Sequence, residues 1–160
     1  GGAYYSQGNT HNPPAEFNIY ADPDGAAVVF ANWPNITMVS WEATIAHGLP
    51  FDQYQSLLNL GNPRSAFLEK VTRKSREFMK SIFDGSLSYA ADPLAMAVLI
   101  DPNIIQESEH KYVQIERFGR FSRGMTIVDW YGLLGHSPNV NIVRKVDINR
   151  FYQLYQLAFE

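Results

Sequence analysis

Residues 8–23 read GNTHNPPAEFNIYADP, a Pro-rich connection that carries asparagines, a histidine and a glutamate straight into an apolar run. Pro14 drives the residue before it toward extended backbone. If that conformation continues, Glu16 and Asn18 are two apart and point to one side, with Phe17 on the other. A carboxylate accepts hydrogen bonds, and a carboxamide both donates and accepts. The pair suits a vicinal diol, and Asn9, beside Gly8 in a turn, adds a third polar contact. The same residues also suit an ordinary loop, with the asparagines in Asx-turns and Glu16 solvated. Spacing alone leaves both readings open.

Outward from this stretch, helix and strand alternate. Residues 22–31, DPDGAAVVFA, predict a short helix capped by Asp22, with Pro23 at its first position. NITMVSWEAT at 35–44 is β-branched and aromatic, and predicts a buried strand. A brief helix over 51–60 is stopped by GNPR at 61–64. From 65 to 83, Phe67, Leu68, Val71, Phe78, Met79 and Ile82 keep helical spacing between charges, and Gly85 closes that helix. DPLAMAVLID at 92–101 is apolar all round and predicts a buried helix, ended by the next Asp-Pro. Strands follow at 111–116, 124–130 and 141–146, then an amphipathic helix over 148–159. With no repeat or linker in view, the pattern predicts one α/β unit.

Charged residues make up 18% of the 160-residue chain, against about 25% in an average globular domain. Aromatics reach 14%. The surface looks small for the core, and GGAYY at the start has no initiator Met, so the sequence reads as a piece of a larger domain. A net charge of −3 gives no basic footprint for nucleic acid. The basic run EKVTRKSREFMK is interrupted by acids, as on a solvated helix face. Absence of cysteine excludes disulfides and thiolate chemistry. No apolar stretch approaches the roughly 20 residues that span a bilayer. The expected location is the cytoplasm, with no membrane partner.

The blocks GGAYYSQGN, PAEFNIYADPDGAAVVF, NITMVSWEAT, ADPLAMAVLIDP and GMTIVDW together resemble the C-terminal half of the inosine-uridine preferring nucleoside hydrolase family. AEFN and DPLA are the specific parts. The resemblance implies an α/β fold with a mostly parallel sheet and flanking helices, residues 1–160 forming the C-terminal half of the domain, and an absent N-terminal half holding an Asp-rich calcium motif. It implies hydrolysis of the N-glycosidic bond of ribonucleosides to ribose and free base in nucleoside salvage, with calcium as cofactor and a homo-oligomer as the complete enzyme. The 160-residue chain alone is then expected to be inactive.

Position by position, the resemblance makes Asn9, Glu16 and Asn18 ribose contacts, sets Phe17 beside the sugar as a packing residue, and gives Asp92 both a calcium and a ribose hydroxyl. Without the family, Asp22, Asp92 and Asp101 are equivalent Asp-Pro openings that capping explains equally. An extra residue between Gly8 and Glu16, relative to some members, bears on Asn9. The departure that matters is Ala91. Many members carry a histidine there, thought to protonate the leaving base, and some carry a stacking tryptophan; alanine does neither. His11, His47 and Tyr89 are conceivable substitutes, while His110 and His136 have no motif around them. Trp33, Trp41 and Trp130 read as packing residues. Asn35-Ile36-Thr37 matches a glycosylation acceptor but enters a predicted strand. Two rival readings stand beside the enzyme: a non-catalytic nucleoside or sugar binder, and an interaction module that meets no substrate.

Overall fold

A computed structural model describes residues 1–83 and 85–160. The chain folds as two compact units that interleave in sequence: residues 1–46 with 105–146, and residues 47–104 with 147–160. Residues 47–104 of the second unit lie between consecutive elements of the first without any Pro/Gly/Ser-rich linker, and residues 147–160 follow the first. Composition therefore showed one unit where the fold has two.

In the first unit, helices α1 (Phe17–Ala21) and α2 (Pro23–Asn32) precede strand β1 (Ile36–Met38) and helix α3 (Trp41–Ala46). The predicted strand at 35–44 is thus only three residues long. Ser40 explains the switch: its Oγ accepts the Ala43 N–H at 3.2 Å, a cap that starts a helix where β-propensity would have continued the strand. Asp22 caps α2 as expected, accepting from Gly25 at 2.9 Å, with Pro23 at the first position.

The remaining strands of the first unit are β4 (Ile105–Ile115), β5 (Thr126–Asp129) and β6 (Val140–Val146), after the short β2 (Leu49–Pro50) and β3 (Leu87–Ser88) of the second. The sheet order is β1-β6-β4-β5. β1 pairs with β6 in parallel, whereas β4 is antiparallel to both β5 and β6. The expected mostly parallel sheet is therefore corrected to a mixed sheet whose pairings are mostly antiparallel. The cause is one reversed strand in an interior position. β1, β5 and β6 run the same way, but β4 lies between β6 and its hairpin partner β5, so it converts two of the three pairings. A core of Ile19, Phe30, Met38, Val113, Val140 and Ile142 covers the sheet.

The second unit holds α4 (Phe51–Leu58), α5 (Pro63–Ile82), α6 (Ala91–Ile100) and α7 (Ile148–Leu157), with β2 and β3 antiparallel. Asn62 and Ser65 form a reciprocal capping box at the start of α5. The periodicity of α5 located the helix but not its packing, for Leu68 is buried while Phe67, Val71, Phe78 and Ile82 are exposed. α6 is likewise one-sided: Leu94, Ala97 and Val98 are buried, and Met96, Leu99 and Ile100 are exposed. Among the described residues no helix is long and apolar enough to cross a membrane.

Candidate functional site

Gly8 allows the connection to fold back on itself. A Cβ there would stand 2.1 Å from the Ala15 carbonyl oxygen, closer than any side chain tolerates, and the Asn9 N–H donates to that same oxygen at 3.2 Å. The Gly8 N–H donates to Pro13 O at 2.8 Å. The Pro-rich stretch is thus a closed loop, and it delivers Asn9 beside the start of α1.

That start is where Asn9, Glu16, Phe17 and Asn18 converge. The extended reading of 16–18 is replaced by a helix cap: Glu16 has extended dihedrals and is the N-cap of α1. Its carboxylate accepts the N–H of Asn18 at 3.1 Å and of Ile19 at 3.4 Å, groups that a helix terminus otherwise leaves unpaired. Asn9 Oδ1 takes the N–H of Phe17 at 2.7 Å. Glu16 is also not solvated. It is 5% exposed and further accepts Gly2 N–H at 3.0 Å and Asn18 Nδ2 at 3.1 Å.

These contacts fix which way each carboxamide faces. The Phe17 N–H can only donate, so Asn9 must turn its oxygen inward and present Nδ2, a donor. The Glu16 carboxylate accepts, so Asn18 turns Nδ2 inward and presents Oδ1, an acceptor. Both asparagines are exposed, and the Phe17 ring beside them is 64% exposed. One donor, one acceptor and one apolar face match the needs of a sugar, whose hydroxyls donate and accept around an apolar ring edge.

Asp92 and Ala91 lie in the other unit. The structure separates the three Asp-Pro openings that sequence left equivalent. Asp22 caps α2, and Asp101 accepts the Asn103 N–H at 3.2 Å and pairs with Arg150 at 3.2 Å. Asp92 instead occupies the second position of α6, whose N-cap is Ala90 with no side-chain cap. It is exposed. Among the described residues no group of three or more His, Asp or Glu side chains is placed to hold a metal ion.

Ala91 is half-buried at the first position of α6. Of the conceivable substitutes, His11 is exposed and shares a 2.9 Å hydrogen bond with the Tyr20 hydroxyl. His47 is buried, and Tyr89 packs against Phe83 with ring centroids 4.7 Å apart. His136 packs against Tyr112 with ring centroids 4.4 Å apart, and His110 stands opposite Asn141 in the sheet. Trp41 is buried as expected, while Trp33 is exposed at the end of α2. Trp130 packs with Tyr5 at 5.1 Å beside the Arg144 guanidinium. Two residues that sequence reasoning passed over also hold the site loop: Glu42, hidden inside a stretch read as strand, and Thr126, whose Oγ1 accepts the Ala3 N–H at 3.2 Å.

A model of the family described as inosine-uridine preferring nucleoside hydrolase matches residues 1–153. The pyrimidine-specific ribonucleoside hydrolase RihA of Klebsiella pneumoniae is 35% identical over 153 residues, covering 92% of this chain and 48% of the relative. RihA of Escherichia coli O8 is 32% identical over 143 residues, covering 89% and 46%. A solved inosine-guanosine nucleoside hydrolase superposes with a TM-score of 0.88 at 30% identity, over 99% of this chain and 49% of its own. A purine-preferring ribonucleoside hydrolase from Gardnerella vaginalis gives 0.81 at 26% identity, over 98% and 49%. The chain spans about half the length of the curated relatives it matches.

Proposed function

The chain belongs to the inosine-uridine preferring nucleoside hydrolase family, and on that premise we propose that it supplies the sugar-binding part of a site that hydrolyses the N-glycosidic bond of ribonucleosides to ribose and free base. The observation that carries this reading is the opposed orientation of the Asn9 and Asn18 carboxamides, fixed by the Phe17 N–H and the Glu16 carboxylate. Asn9 donates to one ribose hydroxyl, Asn18 accepts from another, and Phe17 covers the ring edge. Glu16 sets the Asn18 amide and adds negative charge beside the sugar.

In the reaction, water adds to the anomeric carbon, and the carbon–nitrogen bond breaks with its electron pair going to the base, which takes up a proton. The sugar passes through an oxocarbenium-like state. Contacts that tighten as charge develops there raise the rate, whereas contacts equal in ground and transition states do not. Asp92 is the calcium ligand in this reading, and the further oxygen ligands and the carboxylate that activates water lie outside these 160 residues. Ala91 supplies neither a proton nor a stacking surface, so the base departs without help from that position. A homo-oligomeric enzyme of the cytoplasm completes the proposal, and the 160 residues alone are inactive under it.

The relatives are named for pyrimidine-specific, inosine-guanosine and purine-preferring activities in turn, so base preference is a matter for assay. The deciding experiment measures inosine and uridine hydrolysis by the full-length protein, with ribose binding by calorimetry. Turnover of either nucleoside together with ribose binding is expected. Ribose binding without turnover of any nucleoside would favour the non-catalytic binder that Ala91 suggests. Neither binding nor turnover would remove the sugar site altogether.

A further inference from the structure

The opening segment is held by its backbone as well as by the packed rings of Tyr4 and Tyr5. Beside the Gly2 bond to Glu16 and the Ala3 bond to Thr126, three backbone donors converge on one carboxylate: Tyr4 N–H reaches Glu42 Oε2 at 3.0 Å, and Tyr5 and Gln7 N–H reach Oε1 at 2.8 and 3.3 Å, while the Ser6 N–H turns to Ala3 O. Glu42 is 7% exposed and sits in the first turn of α3. Successive N–H groups curling around an anion form a nest. Ser6, between the donors, has φ of 60° and is the one non-glycine residue in the left-handed region among the described residues. Such strain persists where surroundings over-determine it, and it gathers at functional sites.

The path of this nest decides where Asn9 stands. Two residues after Gln7 the chain has no slack, since Gly8 is pressed against the Ala15 carbonyl and Asn9 N–H is bonded to it. We propose that Glu42 is a positioning residue of the sugar site: its carboxylate holds residues 4–7 in the left-turning path that aims the Asn9 carboxamide at a sugar hydroxyl. The ribonucleoside reading above enters only in what Asn9 meets; the hold on Asn9 stands on the geometry. A packing role would be filled by any apolar side chain of similar size. Three inward N–H groups require an acceptor with two oxygens.

The test compares wild type, Glu42→Gln and Glu42→Asp in the full-length protein. Glutamine keeps the size but replaces one accepting oxygen by an amino group, leaving Tyr4 or the Tyr5–Gln7 pair without an acceptor. In Glu42→Gln, amide exchange at Tyr4, Tyr5 and Gln7 should quicken by about tenfold or more, and the Asn9 side-chain amide resonance should shift. kcat/KM for the nucleoside that wild type hydrolyses should fall by about thirtyfold, with KM carrying the larger share. Glu42→Asp, which keeps the charge and moves it by one methylene, should fall between the two, and it serves as the test should Glu42→Gln not fold. An Asn9 resonance and loop exchange unmoved in both variants would overturn the proposal, as would a loosened loop with kcat/KM within about twofold of wild type. If wild type hydrolyses no nucleoside, it is the ribonucleoside reading that fails, and the Asn9 resonance still decides whether Glu42 sets that side chain.

Discussion

Glu16 shows how a residue singled out in the sequence can sit in a geometry other than the one its spacing suggests. Strand alternation would have placed its carboxylate and Asn18 side by side toward solvent. Instead the carboxylate is buried under four N–H donors and acts outward through the Asn18 amide that it orients. Removing it would therefore confound site and fold, since several buried N–H groups would lose their acceptor. Asn9 is the cleaner position. Asn9→Asp keeps the oxygen that takes the Phe17 N–H and replaces the exposed donor by a charged acceptor, so the fold should stand with a melting temperature within about 2 °C of wild type. kcat/KM on nucleosides should drop by about tenfold or more, the scale of one lost hydrogen bond to a sugar. Steady-state kinetics beside a thermal melt checks both, and unchanged kinetics would take Asn9 out of the site.

At the scale of elements, the Asp22 cap was legible and faces were not. Asp22, Asn62 and Asp147 each stand where a helix begins and each accepts first-turn N–H groups. Capping is local, so sequence reports it. Which face of a helix is covered depends on what is folded against it, which is why the periodic apolar positions of α5 proved mostly exposed. α7 offers a test of what burial does. Burial, with Tyr54 beside it, pushes the Tyr155 phenol well above the ordinary tyrosine value. Its ring lies 6.5 Å from that of Tyr54 and 5.9 Å from that of Phe151. A group whose folded value is raised contributes stability that is fully present below the unfolded value, near pH 10, and lost as pH rises from there toward the folded value. Denaturant midpoints should therefore fall between about pH 8 and about pH 11 in wild type, and fall less in Tyr155→Phe, which has no proton to lose. Equal slopes in the two proteins would show that Tyr155 ionises freely in the folded state.

For the whole molecule, the two units divide the proposed site residues: Asn9, Glu16, Phe17 and Asn18 in one, Ala91 and Asp92 in the other. Because the described residues gather no cluster of three metal-ligating side chains, the 160 residues alone should show no micromolar calcium affinity by calorimetry, whereas the full-length protein should show it and lose it in Asp92→Ala. Tight binding by the 160 residues would mean that the ligands lie among them. The sequence by itself determined the alternation of helix and strand, most helix starts, and, through AEFN and DPLA, the family and the residues to inspect. These are short-range facts: caps, turns and motifs act within a few residues, and spacing records them. Only the tertiary structure decided that β4 lies reversed between β5 and β6, that Asp92 is the Asp-Pro aspartate left without a capping role, and that Glu42 holds the loop preceding Asn9. Each depends on groups brought together from distant positions, as when Tyr4 reaches a carboxylate 38 residues away. A backbone N–H is the same group at nearly every position, so such a bond leaves no mark on the sequence of its donor.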